Sequence, residues 1–259
     1  MQEIERVEIR LLFESDIPAA MTLKEAAGWN QTEDDWHRLL TLEPNGCFGA
    51  IKDGRLIGTT TTTTYANDLA WIGMVLVDPQ HRGHGVATQL MKTALDYLDG
   101  KVATIKLDAT AQGKSLYERF GFKIESLVER WSGTPQSKSP ATRSKTIDDE
   151  ARREIFELDE QAFLADRSKL IGLLIDDAIA SPVLVRDSVK KLSGFALARR
   201  GTRANYLGPI VTSEAGQVES LLEQTLDQIR DRNVYLDFSH ECGASTSILS
   251  DRGFVKERD

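Results

Sequence analysis

The chain has 259 residues, 41% of them apolar and 28% charged, with a formal net charge of −8, the balance of a soluble globular protein long enough for two ordinary domains. That acidity, without a long basic run, argues against nucleic-acid and membrane-surface partners and leans weakly towards cationic small molecules. Cys47 and Cys242 are the only cysteines, with no C-x-x-C pair and no histidine at ligand spacing, so neither a disulfide framework nor a metal is expected. The acidic N-terminus MQEIERVEIRLL is unlike a signal peptide and no apolar run reaches spanning length, so the expectation is a cytoplasmic protein.

Val7 to Leu11 alternates as a first strand, and Glu14 to Pro18 starts a helix over Ala19 to Ala27. Gly28-Trp29-Asn30-Gln31-Thr32 breaks it, and Thr32-x-x-Asp35 caps a second helix through Trp36 to Leu40. Trp29 and Trp36 read equally as core anchors or as pocket wall. Strands Cys47 to Ile51 and Arg55 to Thr59 are joined by the hairpin turn Lys52-Asp53-Gly54. The second strand continues through six threonines, Thr59 to Thr64, into Tyr65; we read a half-exposed strand, with alternate hydroxyls open to a ligand site as the other reading.

The stretch from Trp71 to Met91, WIGMVLVDPQHRGHGVATQLM, organises the chain. An apolar run to Val77 reads as a buried strand that Asp78-Pro79 stops. A basic turn follows in which Gly83 and Gly85 flank His84, and from Val86 to Leu98 apolar residues recur at helical spacing. Glycines let backbone approach a ligand closely, and free N–H groups at a helix start favour an anion such as a pyrophosphate. The spacing is not a P-loop, which needs Gly-Lys-Ser/Thr, nor a dinucleotide fingerprint, because position 88 is Thr. Beyond Asp99-Gly100-Lys101 come a strand over Thr104 to Leu107 ending at Asp108, a short helix carrying Tyr117, Gly121-Phe122, and a last strand over Ile124 to Trp131.

Residues 132–145, rich in Ser, Thr, Pro and basic residues, read as a linker between domains 1–131 and 146–259. The second half echoes the first: Tyr206 to Val211 parallels Trp71 to Leu76, helix Val218 to Ile229 parallels Val86 to Leu98, Val234 to Asp237 parallels Ile105 to Asp108, and Gly253-Phe254 parallels Gly121-Phe122. This order implies an internal duplication. The second copy has an acidic loop, Thr212 to Gly216, without the G-x-G pair, and Leu249 where the first has Tyr117, so it is expected to be catalytically empty.

Gln80-His81-Arg82-Gly83-His84-Gly85, between its strand and its helix, resembles the Q/R-x-x-G-x-G/A signature of the GCN5-related N-acetyltransferases (GNAT). Gly28-Trp29-Asn30 and Leu107-Asp108-Ala109-Thr110, with a degenerate second copy, are similar to a two-domain bacterial subgroup. The resemblance implies an α/β (α+β) fold of tandem GNAT-like domains, each a mixed, mostly antiparallel central sheet flanked by helices, and acetyl-coenzyme A as cosubstrate. It implies that N–H groups of Gly83, His84, Gly85, Val86 and Ala87 hold the pyrophosphate, helped by Arg82 and Gln80. Backbone groups of Val75 and Val77 would pair with the pantetheine arm, one N–H polarising the thioester carbonyl. Tyr117 would protonate the departing thiolate, its other reading being a packing tyrosine.

The resemblance further implies direct attack by a small-molecule primary amine, without a nucleophilic side chain. Trp29, Trp36, Tyr65, Trp71 and Asp108 are the candidate acceptor-pocket residues; Asp108, His37 or a water chain could each supply the base, since Trp71 stands where some family members carry a carboxylate. A non-catalytic acyl-coenzyme A-binding module is the rival reading. The second copy is expected to close the acceptor pocket, against the alternatives of a dimerisation surface or a spacer.

Overall fold

A computed structural model describes residues 7–66, 68–135, 147–229, 232–239 and 246–258. The chain divides into two compact units, Met1–Lys123 and Ile124–Asp259. The first holds a five-stranded sheet in sequence order: β1 (Glu8–Leu11), β2 (Cys47–Lys52), β3 (Arg55–Tyr65), β4 (Leu69–Val77) and β5 (Thr104–Leu107). Neighbours are antiparallel except β4 and β5, which run parallel. Helices α1 (Ile17–Ala26) and α2 (Glu33–Leu42) precede β2, α3 (Val86–Leu98) links β4 to β5, and α4 (Lys114–Arg119) follows β5.

The capping reading holds at α2, where Asp35 N–H donates to Thr32 Oγ1 at 3.3 Å and Thr32 N–H donates to Asp35 Oδ2 at 2.8 Å. On one side of the sheet Ile17, Leu23 and Trp36 pack with Leu12, Cys47, Met74 and Leu76. On the other, α3 buries Val86, Leu90, Met91, Ala94 and Leu98, each large apolar side chain stabilising by roughly 1.5–3 kcal/mol.

A bulge lets β4 serve both cores. Ile72 packs towards α3, and parity would send Met74 and Leu76 there as well. Met74 instead takes φ 49°, the register against β3 slips between Thr59 and Thr61, and Met74 and Leu76 join the α1/α2 core. One extra residue has inverted the pleat. The threonine strand is not half-exposed: Thr59 to Thr62 are each at most 1% accessible, because β3 is the middle strand with a core on both faces. Thr59 Oγ1 donates to the Met74 carbonyl at 2.7 Å and Thr62 Oγ1 to that of Gly46 at 3.0 Å, so these hydroxyls tie down backbone.

The second unit's sheet runs β11-β6-β10-β9-β8-β7. Its strands are β6 (Val128–Gly133), β7 (Val183–Arg186), β8 (Leu192–Arg199), β9 (Asn205–Thr212), β10 (Val234–Ser239) and β11 (Val255–Arg258), with α5 (Asp149–Phe163), α6 (Ser168–Asp176), α7 (Val218–Gln228) and α8 (Ser247–Ser250). The strand expected to complete the first domain belongs here instead. β6 lies between β10 and β11, antiparallel to both, with Trp131 in the core formed by Leu207, Leu236, Phe238 and Phe254. The boundary therefore falls at Lys123/Ile124 rather than after residue 131, and Ser132 and Gly133 are strand rather than linker. Most of the expected linker, residues 136–145, and Cys242 lie outside the described residues.

The duplication is visible in hydrogen bonds. Phe122 N–H donates to the Tyr117 carbonyl at 3.2 Å, and Phe254 N–H to the Leu249 carbonyl at 3.0 Å. Gly121 and Gly253, with φ 87° and 75°, make the same left-handed turn.

Candidate active site

The loop after β4 begins with Asp78, whose carboxylate accepts the Gln80 N–H at 2.8 Å and holds Pro79–His81 in one tight turn. Gly83 and Gly85 both take φ +79°, and a Cβ at either would meet no described atom within 4 Å. The glycines thus turn the chain without filling the space in front of it. Gly85 is the N-cap of α3, and no side chain caps that helix, so first-turn N–H groups and the helix dipole face outward. Gln80, Arg82, Gly83, His84 and Gly85 are exposed, Ala87 is half-buried and Val86 is in the core. The residues fit an anionic diphosphate: backbone donors at an uncapped helix start, two left-handed glycines and a neighbouring guanidinium.

Beside this loop β4 has an open edge. β5 pairs with it only from Leu69↔Thr104 to Ile72↔Leu107 and then ends. Asp78 N–H bonds the Ile57 carbonyl of β3 at 2.8 Å, so by alternation Val77 and Val75 direct their backbone groups away from β3, to the side β5 has left. Arg82 Nε donates to the Val77 carbonyl at 3.1 Å, joining loop to open edge.

Tyr117 is 9% accessible and packs edge-on to Phe122 at 6.3 Å between ring centroids. Its ring folds over Gly113, where a Cβ would lie 2.7 Å from Cε2. Burial raises the phenol above its ordinary value, so it keeps its proton at neutral pH.

Of the acceptor candidates the structure brings two together: Trp71 Nε1 donates to Asp108 Oδ2 at 3.2 Å. Trp71 is half-buried, and Asp108 is an exposed residue directly after β5. Trp36 is 1% accessible inside the core, and Trp29 packs against the same cluster. Tyr65 is buried at the end of β3, paired with Leu69 two residues along β4 from Trp71. His37 is exposed on α2 with Nδ1 4.0 Å from Glu14. Burial pushes the Cys47 thiol up to about 12, which leaves no thiolate for nucleophilic work.

The sequence reading missed Thr59, which fixes the bulge, and Glu43, whose carboxylate accepts from Tyr97 Oη at 2.6 Å and from the Thr64 N–H at 3.1 Å. The threonine run signalled the former; nothing local signals a contact between residues 43 and 97.

In the second unit the corresponding loop is filled by its own side chains. Gln217, the α7 N-cap residue, accepts from Thr212 Oγ1 at 3.0 Å and donates to Ser193 Oγ at 2.9 Å and Glu214 Oε2 at 3.1 Å. An acidic, self-satisfied loop has little to offer a phosphate.

Comparison with known proteins agrees with this architecture. The acetyltransferase (GNAT) family profile matches residues 11–122, and a second acetyltransferase (GNAT) domain profile matches residues 155–259. The chain belongs to the GNAT superfamily, as a two-domain acetyltransferase of the GNAT type. It is 24% identical over 255 residues to the uncharacterized N-acetyltransferase YitH of Bacillus subtilis, spanning 96% of this chain and 88% of that protein. It is 34% identical over 136 residues to the uncharacterized N-acetyltransferase YhbS of Escherichia coli, spanning 49% of this chain and 72% of that one. A GCN5-related N-acetyltransferase structure from Sphaerobacter thermophilus has the same fold, with TM-score 0.68 and 15% identity over 98% of this chain and 93% of its own. Among the described residues no helix is long and apolar enough to cross a membrane.

Proposed function

We propose that the first unit transfers an acetyl group from acetyl-coenzyme A to the primary amine of a small molecule by direct attack. The observation that carries this is the conjunction of an uncapped, glycine-turned helix start with a strand whose outer edge opens beside it. Acetyl-coenzyme A supplies an activated acyl group as its thioester. N–H groups of Gly83, His84, Gly85, Val86 and Ala87 hold its diphosphate, Arg82 and Gln80 add side-chain contacts, and Val75 and Val77 receive the extended arm by strand-like pairing.

An outward N–H on β4 stabilises negative charge on a carbonyl oxygen placed there, at a fixed position that needs no reorganisation. Tyr117, held protonated by burial, gives its proton to the leaving sulfur. Cys47 is a core thiol on the other face of the sheet and forms no acyl intermediate. The test is thiol release from acetyl-coenzyme A on incubation with a panel of small amines. Amine-dependent release is expected; tight binding without release for any amine would leave an acyl-coenzyme A-binding module instead.

A further inference from the structure

We propose that Thr59 is a positioning residue for acyl transfer: its hydroxyl fixes the peptide between Met74 and Val75, so that the Val75 N–H is held on the open edge of β4. This rests on the acetyl-transfer reading above, and gives the outward N–H invoked there a named residue and a cause. The register of β3 against β4 runs Thr61↔Gly73 and then Thr59↔Leu76, so two steps on β3 span three on β4 and the extra residue lies between Gly73 and Leu76. Met74 takes φ 49° there, a left-handed conformation that a residue with a long side chain seldom adopts. Such a conformation persists only where its surroundings impose it.

The Thr59 hydroxyl supplies that constraint. Thr59 is 0% accessible on the middle strand of its sheet, and its Oγ1 donates to the Met74 carbonyl at 2.7 Å. In a trans peptide the carbonyl and the following N–H point in opposite directions. A Met74 carbonyl drawn to Thr59, on the β3 side, therefore turns the Val75 N–H to the other side. Alternation counted back from Asp78, whose N–H bonds the Ile57 carbonyl at 2.8 Å, gives the same direction independently. On that other side the pairing with β5 has already ended at Ile72↔Leu107.

Burial makes this clamp stiff. Met74 and Leu76, which flank Val75, are both buried in the core with Leu12, Ile17 and Trp36. Water does not compete for the hydroxyl or the carbonyl there, and a donor fixed in this way meets a developing negative charge without reorganising. Thr59 acts through the peptide: it keeps its proton and forms no bond to either substrate. Thr62 is the matching control within the same run. It is equally buried and donates to the Gly46 carbonyl at 3.0 Å, but that carbonyl lies just before β2 and not on β4.

Infrared difference spectra of carbonyl-labelled acetyl-coenzyme A bound to the full chain, with no amine present, read the polarisation of the thioester carbonyl apart from turnover. The wild type is expected to move the carbonyl stretch to lower frequency than in solution. Thr59→Val should return it towards the solution value, and Thr59→Ser, which keeps the hydroxyl, should retain the shift. With an accepted amine, Thr59→Val is expected to lower kcat about ten- to a hundredfold with the KM for acetyl-coenzyme A unchanged, and Thr59→Ser to restore most of the rate. Thr62→Val should leave both the shift and kcat as in the wild type, whatever it does to stability. If the valine methyl against the Met74 carbonyl prevents folding, Thr59→Ala removes the hydroxyl without placing carbon there, and the same losses are required of it. An unshifted carbonyl in the wild type, a shift that persists in folded Thr59→Val or Thr59→Ala, or equal losses in Thr59→Val and Thr62→Val would overturn the assignment. Thiol release with a shift independent of Thr59 would remove the clamp and leave the transferase; a Thr59-dependent shift without release by any amine would keep the oriented N–H and remove the transferase.

Discussion

Asp237 sits directly opposite Arg130 across the β10–β6 ladder, and the guanidinium closes on its carboxylate through two hydrogen bonds of 2.7 and 2.6 Å. The strand bearing Arg130 precedes the helices and the other five strands of its own unit. Arg130→Ala removes a partner from a partly buried carboxylate, and is expected to lower unfolding stability by about 2 kcal/mol. Urea unfolding of the full chain checks this, with Arg130→Ala/Asp237→Asn recovering part of the loss; an unchanged midpoint in the single variant would mean the pair is energetically idle.

The placement of β6 also sets where the chain can be cut. A fragment of residues 124–259 keeps the strand between β10 and β11, whereas residues 146–259 lose it and expose the side chains that pack on Trp131. The longer fragment is expected to show dispersed amide resonances and a cooperative melt, and the shorter one neither. Cooperative folding of residues 146–259 alone would show the strand to be dispensable.

At the loop, Gly85→Ala and Gly85→Glu separate conformation from occupancy. The left-handed φ of +79° makes either change cost about 1–2 kcal/mol. Only the glutamate adds a negative charge where the diphosphate is expected. Coenzyme A binding should survive, weakened, in the alanine variant and vanish in the glutamate variant; equal affinities in the two would move the cofactor elsewhere.

Tyr117→Phe is expected to lower kcat by about 10²–10⁴ with coenzyme A affinity nearly intact. Because burial raises this phenol, the wild type should keep its acid form, and so its rate, to pH values above the ordinary phenol value of about 10. The linkage has the matching sign: the stability carried by the protonated phenol is fully present below the unfolded value and lost as pH rises through the higher folded value. A full-rate phenylalanine variant would return Tyr117 to packing.

The elements that position the site were legible because each is written locally. The glycines at 83 and 85, the apolar repeat from Val86 to Leu98 and the Thr32-x-x-Asp35 cap all state their structure within a turn or two. The bulge at Met74 was not legible, since methionine gives no sign of a positive φ and the apolar run continues unbroken across it. The sheet that β6 joins was not legible either: an alternating segment shows that it has a buried face, not whose core covers it. The Trp71–Asp108 contact spans 37 residues and exists only because β4 and β5 pair in one register. The two residues were read as separate pocket candidates and emerged as a donor and its acceptor.

On the proposed function, this two-copy chain has one acyl-coenzyme A site, built on the loop after β4. Calorimetric titration of acetyl-coenzyme A into the full-length protein and its Gly85→Glu variant tests it most directly. One molecule is expected to bind per chain in the wild type and none in the variant. Two molecules per chain, or binding that survives the glutamate in a folded protein, would contradict it.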